Sequence, residues 1–302
     1  MAAVHIARAG YSAAGVQRRR ALALSTSGTL GFVIMTVAVL GALLAPWVSP
    51  HNPLVQDINQ RLQPPLWVNA QGERYLLGTD QLGRDVLSRL IYGSRVSLLV
   101  AFTSVPLSAL LGVLLGLISG YHLGFADEFL MRLVDIQLAI PFILLALAVM
   151  AVLGPSLPNL IIVLTVTTWV HYAKLVRGEV LSVRERDFVT AAFALGATHS
   201  RIILRHILPN ILSTVIVLTT LNLPRMIIAE AGVSFLGLGI QPPTPSWGGM
   251  LSEGQEYVWT AWWLSTLAGL TISLTVLGAN LLGDWLRDAL DPRLRSPARS
   301  RW

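Results

Sequence analysis

The groups best placed for chemistry are few, and their spacing argues against catalysis. Gly232-Val233-Ser234 has the opening of a hydrolase nucleophile elbow, but G-x-S-x-G needs glycine at position 236, where Leu236 stands. An intramembrane enzyme would also need a base within reach of Ser234, and none offers itself. A G-x4-G-K-[ST] phosphate loop is absent, so ATP hydrolysis is not expected in this chain. No HExxH spacing occurs, the six histidines are scattered, and there are no cysteines. Thiolate metal sites, disulfides and thiol nucleophiles are thereby excluded. The expectation is no catalytic residue, no metal and no cofactor in the chain itself.

Charges inside apolar segments are the next candidates. Glu230 lies about 21 residues beyond Pro209, which at ~1.5 Å per residue is roughly one hydrocarbon thickness. That places it at the outer interface as a solvated carboxylate, with substrate contact the less favoured role. Asp135 reads as an inner helix-end charge. Arg225 follows Pro224, and pairing with Glu230 would need a five-residue separation, a poor helical spacing.

The most patterned polar stretch is FVTAAFALGATHSRIILRHILPN, residues 188–210. Alanines and larger apolar residues from Asp187 to Leu195 suit a short helix, with Asp187 as N-cap. Gly196 lets the chain leave that helix at positive φ, and Thr198 or Ser200 caps the next. The second helix then runs through Arg201–His206 into an apolar span, bent near Pro209. Small residues at Thr190, Ala191 and Ala192 permit close approach of another surface. The plainer alternative is a connecting loop resting on lipid headgroups.

These segments need elements to position them. Of 302 residues, 54% are hydrophobic and 13% charged, half the charge of a soluble domain, which indicates a membrane protein. The net charge of +6 would suggest nucleic acid in a soluble chain, but the arginines flank apolar spans and instead suggest orientation. Arg18, Arg19 and Arg20 precede an apolar run with weak cleavage context, which reads as an uncleaved first span. At about 20 residues per crossing, spans fall near 30–48, 96–120, two within 136–170 divided by GPSLP (154–158), one from Ile207 beyond Pro224, and one near 263–282. Basic residues in both tails (Arg8, Arg18–Arg20; Arg287, Arg293, Arg295, Arg299, Arg301) and in the 174–206 connection put all three on the cytoplasmic side. Outside lie 49–95, with an amphipathic interfacial helix around Leu82–Ile91 capped by Thr79 or Asp80, and a segment opening QPPTPSWGG. Arg84, Asp85, Ser88 and Arg89 would form the polar face of that helix, and the prolines of QPPTPSWGG forbid a regular helix. Trp247 would sit at the membrane boundary as an anchor or part of a gate.

With those residues in view, the run T-A-A-x3-G followed after ten residues by I-L-P resembles the cytoplasmic EAA loop of bacterial ABC importer permeases. Ala191, Ala192, Gly196, Leu208 and Pro209 match, Thr190 stands where the pattern has glutamate, and His206 stands at a usually apolar position. GTDQLGRDVLSRLIYGSR (78–95), MRLVDIQLAIP (131–141), AGVSFLGLGIQPPTPSWGGML (231–251) and LLGDWLRDALDPRLR (281–295) resemble the C-type permease of the dipeptide/oligopeptide subfamily. The resemblance implies an all-α, six-helix, type-1-like permease fold in the bacterial inner membrane, with both termini cytoplasmic. The expected division is a tail at 1–29, a first span at 30–48, an external segment at 49–95, a core at 96–284 and a tail at 285–302. Implied partners are a homologous second permease, two ATP-binding subunits that hold ATP and Mg, an extracytoplasmic substrate-binding protein and membrane lipid, with no nucleic acid. Phe188, Thr190, Ala191, Ala192, Leu195, Gly196 and Pro209 would couple to the ATP-binding subunit. Pro243, Pro245, Trp247 and Glu230 are candidates for the outer gate or binding-protein contact. The implied cargo is di- or oligopeptides, with glutathione or nickel complexes as alternatives. An ion-driven carrier or a non-transporting scaffold are the competing classes.

Overall fold

The computed structural model describes residues 26–290. The basic residues expected to orient the tails, except Arg287, lie outside them. Among the described residues, five helical paths are long and apolar enough to cross a membrane: α1 (Thr26–Leu43), α3 (Val86–His122), α6 (Leu157–Arg184), the continuous path 199–235, and α11 (Trp263–Leu290). A sixth crossing arises if α4 (Gly124–Ala139) and α5 (Phe142–Leu153) count as one span bent by 95°. The break falls at Ile140-Pro141, where proline forbids a continuous helix and biases its predecessor to extended backbone. Gly154, at φ +82°, then turns the chain into α6, where the GPSLP reading placed the boundary.

The path 199–235 consists of α8 (His199–Ile202), a π-helical turn (Ile203–Ile207) and α9 (Leu208–Phe235). In the π turn the Leu208 N–H donates to the Ile203 carbonyl. Pro209 follows at once, with no N–H to continue the ladder, so the widened turn carries the helix past a missing donor. The bend expected at Pro209 is therefore a change of hydrogen-bond register.

The external segment differs from expectation. α3 is one 37-residue helix capped by Asp85, whose carboxylate accepts from the Ser88 N–H at 2.9 Å. There is no separate interfacial helix, and Thr79 and Asp80 are not its cap. Before it, a 3-10 turn (Ile58–Gln60) and a two-stranded hairpin, β1 (Trp67–Val68) and β2 (Arg74–Tyr75), add a small β element to a helical fold. α2 (Ala45–Val48) is a single turn following α1.

α3 and α6 form the spine. Gly112, Gly116 and Gly120 face α6 at four-residue intervals. A Cβ on Gly116 would lie 2.7 Å from the Ala173 carbonyl oxygen and 2.8 Å from Val176 Cβ. Small residues at helical spacing let backbones meet where lipid offers no competing hydrophobic drive. α1 packs on α11 in the same way, Gly31 against the Gly278 carbonyl. The main core joins Val86, Leu98 and Val105 of α3 to Met150, Leu164, Ile227 and Leu264. Large apolar side chains such as Phe32, Val37, Leu110 and Leu114 remain exposed, as expected of surfaces that face lipid or a partner subunit.

Candidate coupling elbow and buried polar groups

The polar insert forms an elbow. α7 (Asp187–Ala194) begins one residue earlier than a cap at Asp187 would give: Arg186 is the N-cap, and Asp187 supplies the acidic first turn. The chain leaves it through Gly196 at φ +80° and enters α8 from Thr198. No atom lies within 4 Å of a Cβ built on Gly196, so backbone conformation alone demands glycine there. Lys174 and Arg177, read as loop charges, belong to α6, so the elbow proper begins at Glu185.

One side chain, Val189, anchors α7. It joins a cluster with Leu117, Val176, Val180, Val183, Ile202 and Ile207. Thr190, Ala191, Ala194 and Phe188 are exposed, Ala192 is half-buried, and Phe193 and Leu195 stand out at 61% and 89% exposure. A helix pinned by one valine and presenting Phe193 and Leu195 to solvent is an unfilled apolar surface.

Beneath the elbow, one contact reaches it at His199, and two more brace α6 against α3 and α4. The Tyr121 hydroxyl and His199 Nδ1 are 2.7 Å apart. Arg184 donates to the Gly120 and Tyr121 carbonyls at 3.3 and 3.0 Å, capping the end of α3. Arg177 grips Asp127 through Nε and Nη2, the latter at 2.7 Å, while the Ser119 hydroxyl donates to the same carboxylate. Asp135 at the other end of α4 meets Lys174 at 3.2 Å, an exposed pair worth little on its own. The glycine stripe and Asp127 went unremarked in the sequence, and Arg177 was read only as a charge of the 174–206 connection; G-x3-G-x3-G at 112–120 was the signal that would have found the stripe.

On the opposite side of the chain, residues expected in solvent are buried. Arg84 and Arg89 are each 2% exposed. Arg84 Nε lies 2.6 Å from Asp80 Oδ2, and Arg84 Nη2 and Arg89 Nη1 each lie 2.7 Å from Glu253 Oε2. Two cations and two carboxylates balance, which is what makes their burial tolerable. Burial alone would push the Glu253 carboxyl up; hydrogen bonds and charge from Arg89, with Gln81 and Arg84, hold it below the usual carboxylate range. Glu253 belongs to α10 (Trp247–Gln255), a helix in the stretch where prolines were expected to forbid one. The prolines precede it, and Ser246 caps it by accepting from Gly249 N–H.

Trp247 is not an interfacial ring. It is 1% exposed, and its indole N–H donates to the Leu90 carbonyl at 2.9 Å. Glu230 is not solvated: it is fully buried and accepts from Ser97 and Ser234 hydroxyls at 2.7 and 2.8 Å. Counting residues along α9 measured depth on the helix axis and missed the cover supplied by α3. Arg225 does not pair with it. Pro243 is exposed, whereas Pro245 is buried and lines a cavity of about 590 Å³ with Pro46, His51 and Tyr92.

Long apolar helices around buried polar groups, with an exposed two-helix elbow, define a polytopic membrane protein of the transporter class. The sequence pattern described as "binding-protein-dependent transport system inner membrane component" matches residues 112–296, and that described as "N-terminal TM domain of oligopeptide transport permease C" matches residues 19–65. The chain belongs to the binding-protein-dependent transport inner membrane component family. It is 47% identical over 268 residues to the di/tripeptide transport system permease protein DppC of Pseudomonas aeruginosa, covering 89% of this chain and 88% of that one. Identity to the dipeptide transport system permease protein DppC of Escherichia coli K12 is also 47%, over 266 residues, 88% of this chain and 89% of the other. An inward-facing structure of the MetNI methionine ABC transporter superposes with TM-score 0.57 at 20% identity, over 68% of this chain and 97% of its own, and so shares the fold. The protein is the permease subunit of an ABC importer and a multi-pass inner-membrane protein.

Proposed function

We propose that this subunit forms half of a translocation pathway for di- and oligopeptides, opposite a homologous second permease. Two ATP-binding subunits that hold ATP and Mg would drive it, and an extracytoplasmic binding protein would deliver the cargo. The observation that carries the mechanism is the elbow: α7 is pinned by Val189 alone while Thr190, Ala191 and Leu195 stay open. Closure of the nucleotide subunits would push on that surface, and Arg184, the Tyr121–His199 contact and the glycine stripe would pass the displacement into α3 and α6. Alternating access then follows from two packings biased by nucleotide and cargo. The peptide reading rests on the names of the relatives at 47% identity.

In this reading the bent pair α4–α5 is one span, the count is six, both termini and the elbow are cytoplasmic, and the 49–95 and 239–262 segments are external. Pro243 is left as the exposed candidate for binding-protein contact, with Trp247 supporting it from behind. The decisive experiment is reconstitution of the assembled complex with its binding protein in proteoliposomes. Vanadate-sensitive, ATP-dependent uptake of dialanine is the expected result. Uptake of glutathione or a nickel complex in its place would replace the cargo, and uptake without ATP would defeat the mechanism.

A further inference from the structure

Arg225 is an exposed cation on a membrane-crossing helix, and among the described residues it has no hydrogen bond and no ion pair. A charge in that position is costly unless it faces water, a cavity or an opposite charge. It lines a cavity of about 180 Å³ with Asn222 and Ala229 of α9, Thr168 and His171 of α6, and Phe142 of α5. Phe142 is the first residue of a 12-residue helix whose cap, Pro141, provides no side-chain acceptor, so the positive end of α5 opens beside the cavity. Asn222 is 2% exposed and no acceptor meets its Nδ2 in hydrogen-bond geometry; the Tyr172 hydroxyl, which Asn222 and Thr219 approach, has no partner in that geometry either. Buried polar groups are normally satisfied, and a donor left open at a cavity wall awaits an acceptor. Among the described residues no acid lines the cavity.

We infer that the cavity between α5, α6 and α9 is a carboxylate subsite of the pathway, with Arg225 and Asn222 as its donors and the α5 N-terminus as its dipole. Resting on the peptide reading above, its ligand is the C-terminal carboxylate of the cargo. At ~30 Å³ per water, the volume takes a carboxylate and a small side chain, not an extended oligopeptide. The subsite would therefore touch one end of any cargo and leave the rest of its length unread. The same carboxylate chemistry has a second source, an acidic side chain of the second permease, and the experiment separates the two.

The chain has no cysteine, so Ala229→Cys places a single reporter thiol in the subunit. The complete complex is treated with an anionic and with a cationic methanethiosulfonate, and modification of this subunit is followed by intact mass. Rates are divided by those of a small free thiol to remove intrinsic reactivity. The expected result is an anionic preference of about tenfold, lost in Arg225→Ala and partly kept in Arg225→Lys. Excess dialanine with binding protein, in the vanadate-trapped complex, should slow the reaction. Thr168→Cys serves as a second reporter should the first not assemble. Equal normalised rates, or a preference untouched by Arg225→Ala, overturns the subsite. So does loss of the second permease from Arg225→Ala complexes, because the carboxylate is then the partner's. Dialanine uptake by the complex carrying the unsubstituted subunit is scored separately. Absent uptake with the charge preference intact rejects the peptide cargo and supports the anion site.

Discussion

The indole N–H of Trp247 reaches the Leu90 carbonyl at 2.9 Å, joining the first turn of α10 to α3. The ring lies over Gly93, where a Cβ would come within 3.1 Å of Trp247 Cδ1. Gly248, the next residue, is against the Ala231 backbone of α9. One dipeptide thus seats α10 on two crossing helices.

Trp247→Ala removes a fully buried ring and its hydrogen bond to the Leu90 carbonyl, a loss of about 3–5 kcal/mol by comparison with other core truncations. Thermal unfolding of the purified complex should drop accordingly, with lower yield. Trp247→Phe keeps most of the packing and should cost about 1 kcal/mol. An unchanged melting temperature for Trp247→Ala would mean the ring is not a structural anchor.

Gly116→Leu should prevent assembly, because its side chain would enter the space held by the Ala173 carbonyl and Val176. Gly116→Ala should assemble in reduced amount. Membrane-extracted yield of each variant, by quantitative blot, checks the order; equal yields would show that α3 and α6 can separate without loss.

At the elbow, Gly196→Pro and Ala192→Arg should abolish ATP-driven uptake while the chain still inserts. Proline cannot take φ +80°, and arginine puts bulk and charge into a close contact. Gly196→Asn, which tolerates the left-handed region and meets open space, should retain substantial uptake. Full uptake by a well-expressed Ala192→Arg subunit would remove this surface from coupling.

The Asp80–Arg84–Arg89–Glu253 cluster makes stability pH-dependent in a known direction. The Glu253 carboxyl is depressed in the folded protein, so its contribution is complete above the ordinary carboxylate range and is lost as pH falls below it. Melting temperature should therefore fall on acidification below about pH 4. Glu253→Gln should lower the neutral-pH value and flatten that part of the profile. A wild-type acid profile in the variant would place the titration elsewhere.

Local chemistry made the elbow readable: a glycine between two short helical patterns has one economical conformation, and Gly196 adopts it. The boundaries at Pro141 and Gly154 were readable for the same reason, since proline and glycine act on their own backbone. Arg84 and Arg89 were misread because a charged helical face normally means water. Their burial depends on Glu253, more than 160 residues away, and no local periodicity encodes a distant counter-charge. Glu230 and Trp247 failed similarly: position along an axis was inferred, but α3, which covers both, was not part of the estimate. Arg225 was flagged by its type, while its open cavity with Asn222 and Phe142 arises only when three helices meet.

The π turn at 203–207 also acts as a phase setting. Successive residues of an α-helix advance by about 100°, so one extra residue held in a wide turn rotates everything before it by roughly a quarter turn relative to α9. The direction in which the elbow faces is thereby set by a count of residues, which the Val189 and His199 contacts then hold. Shortening the turn by one residue would leave every contact-forming residue type in the sequence and aim the elbow at a different neighbour.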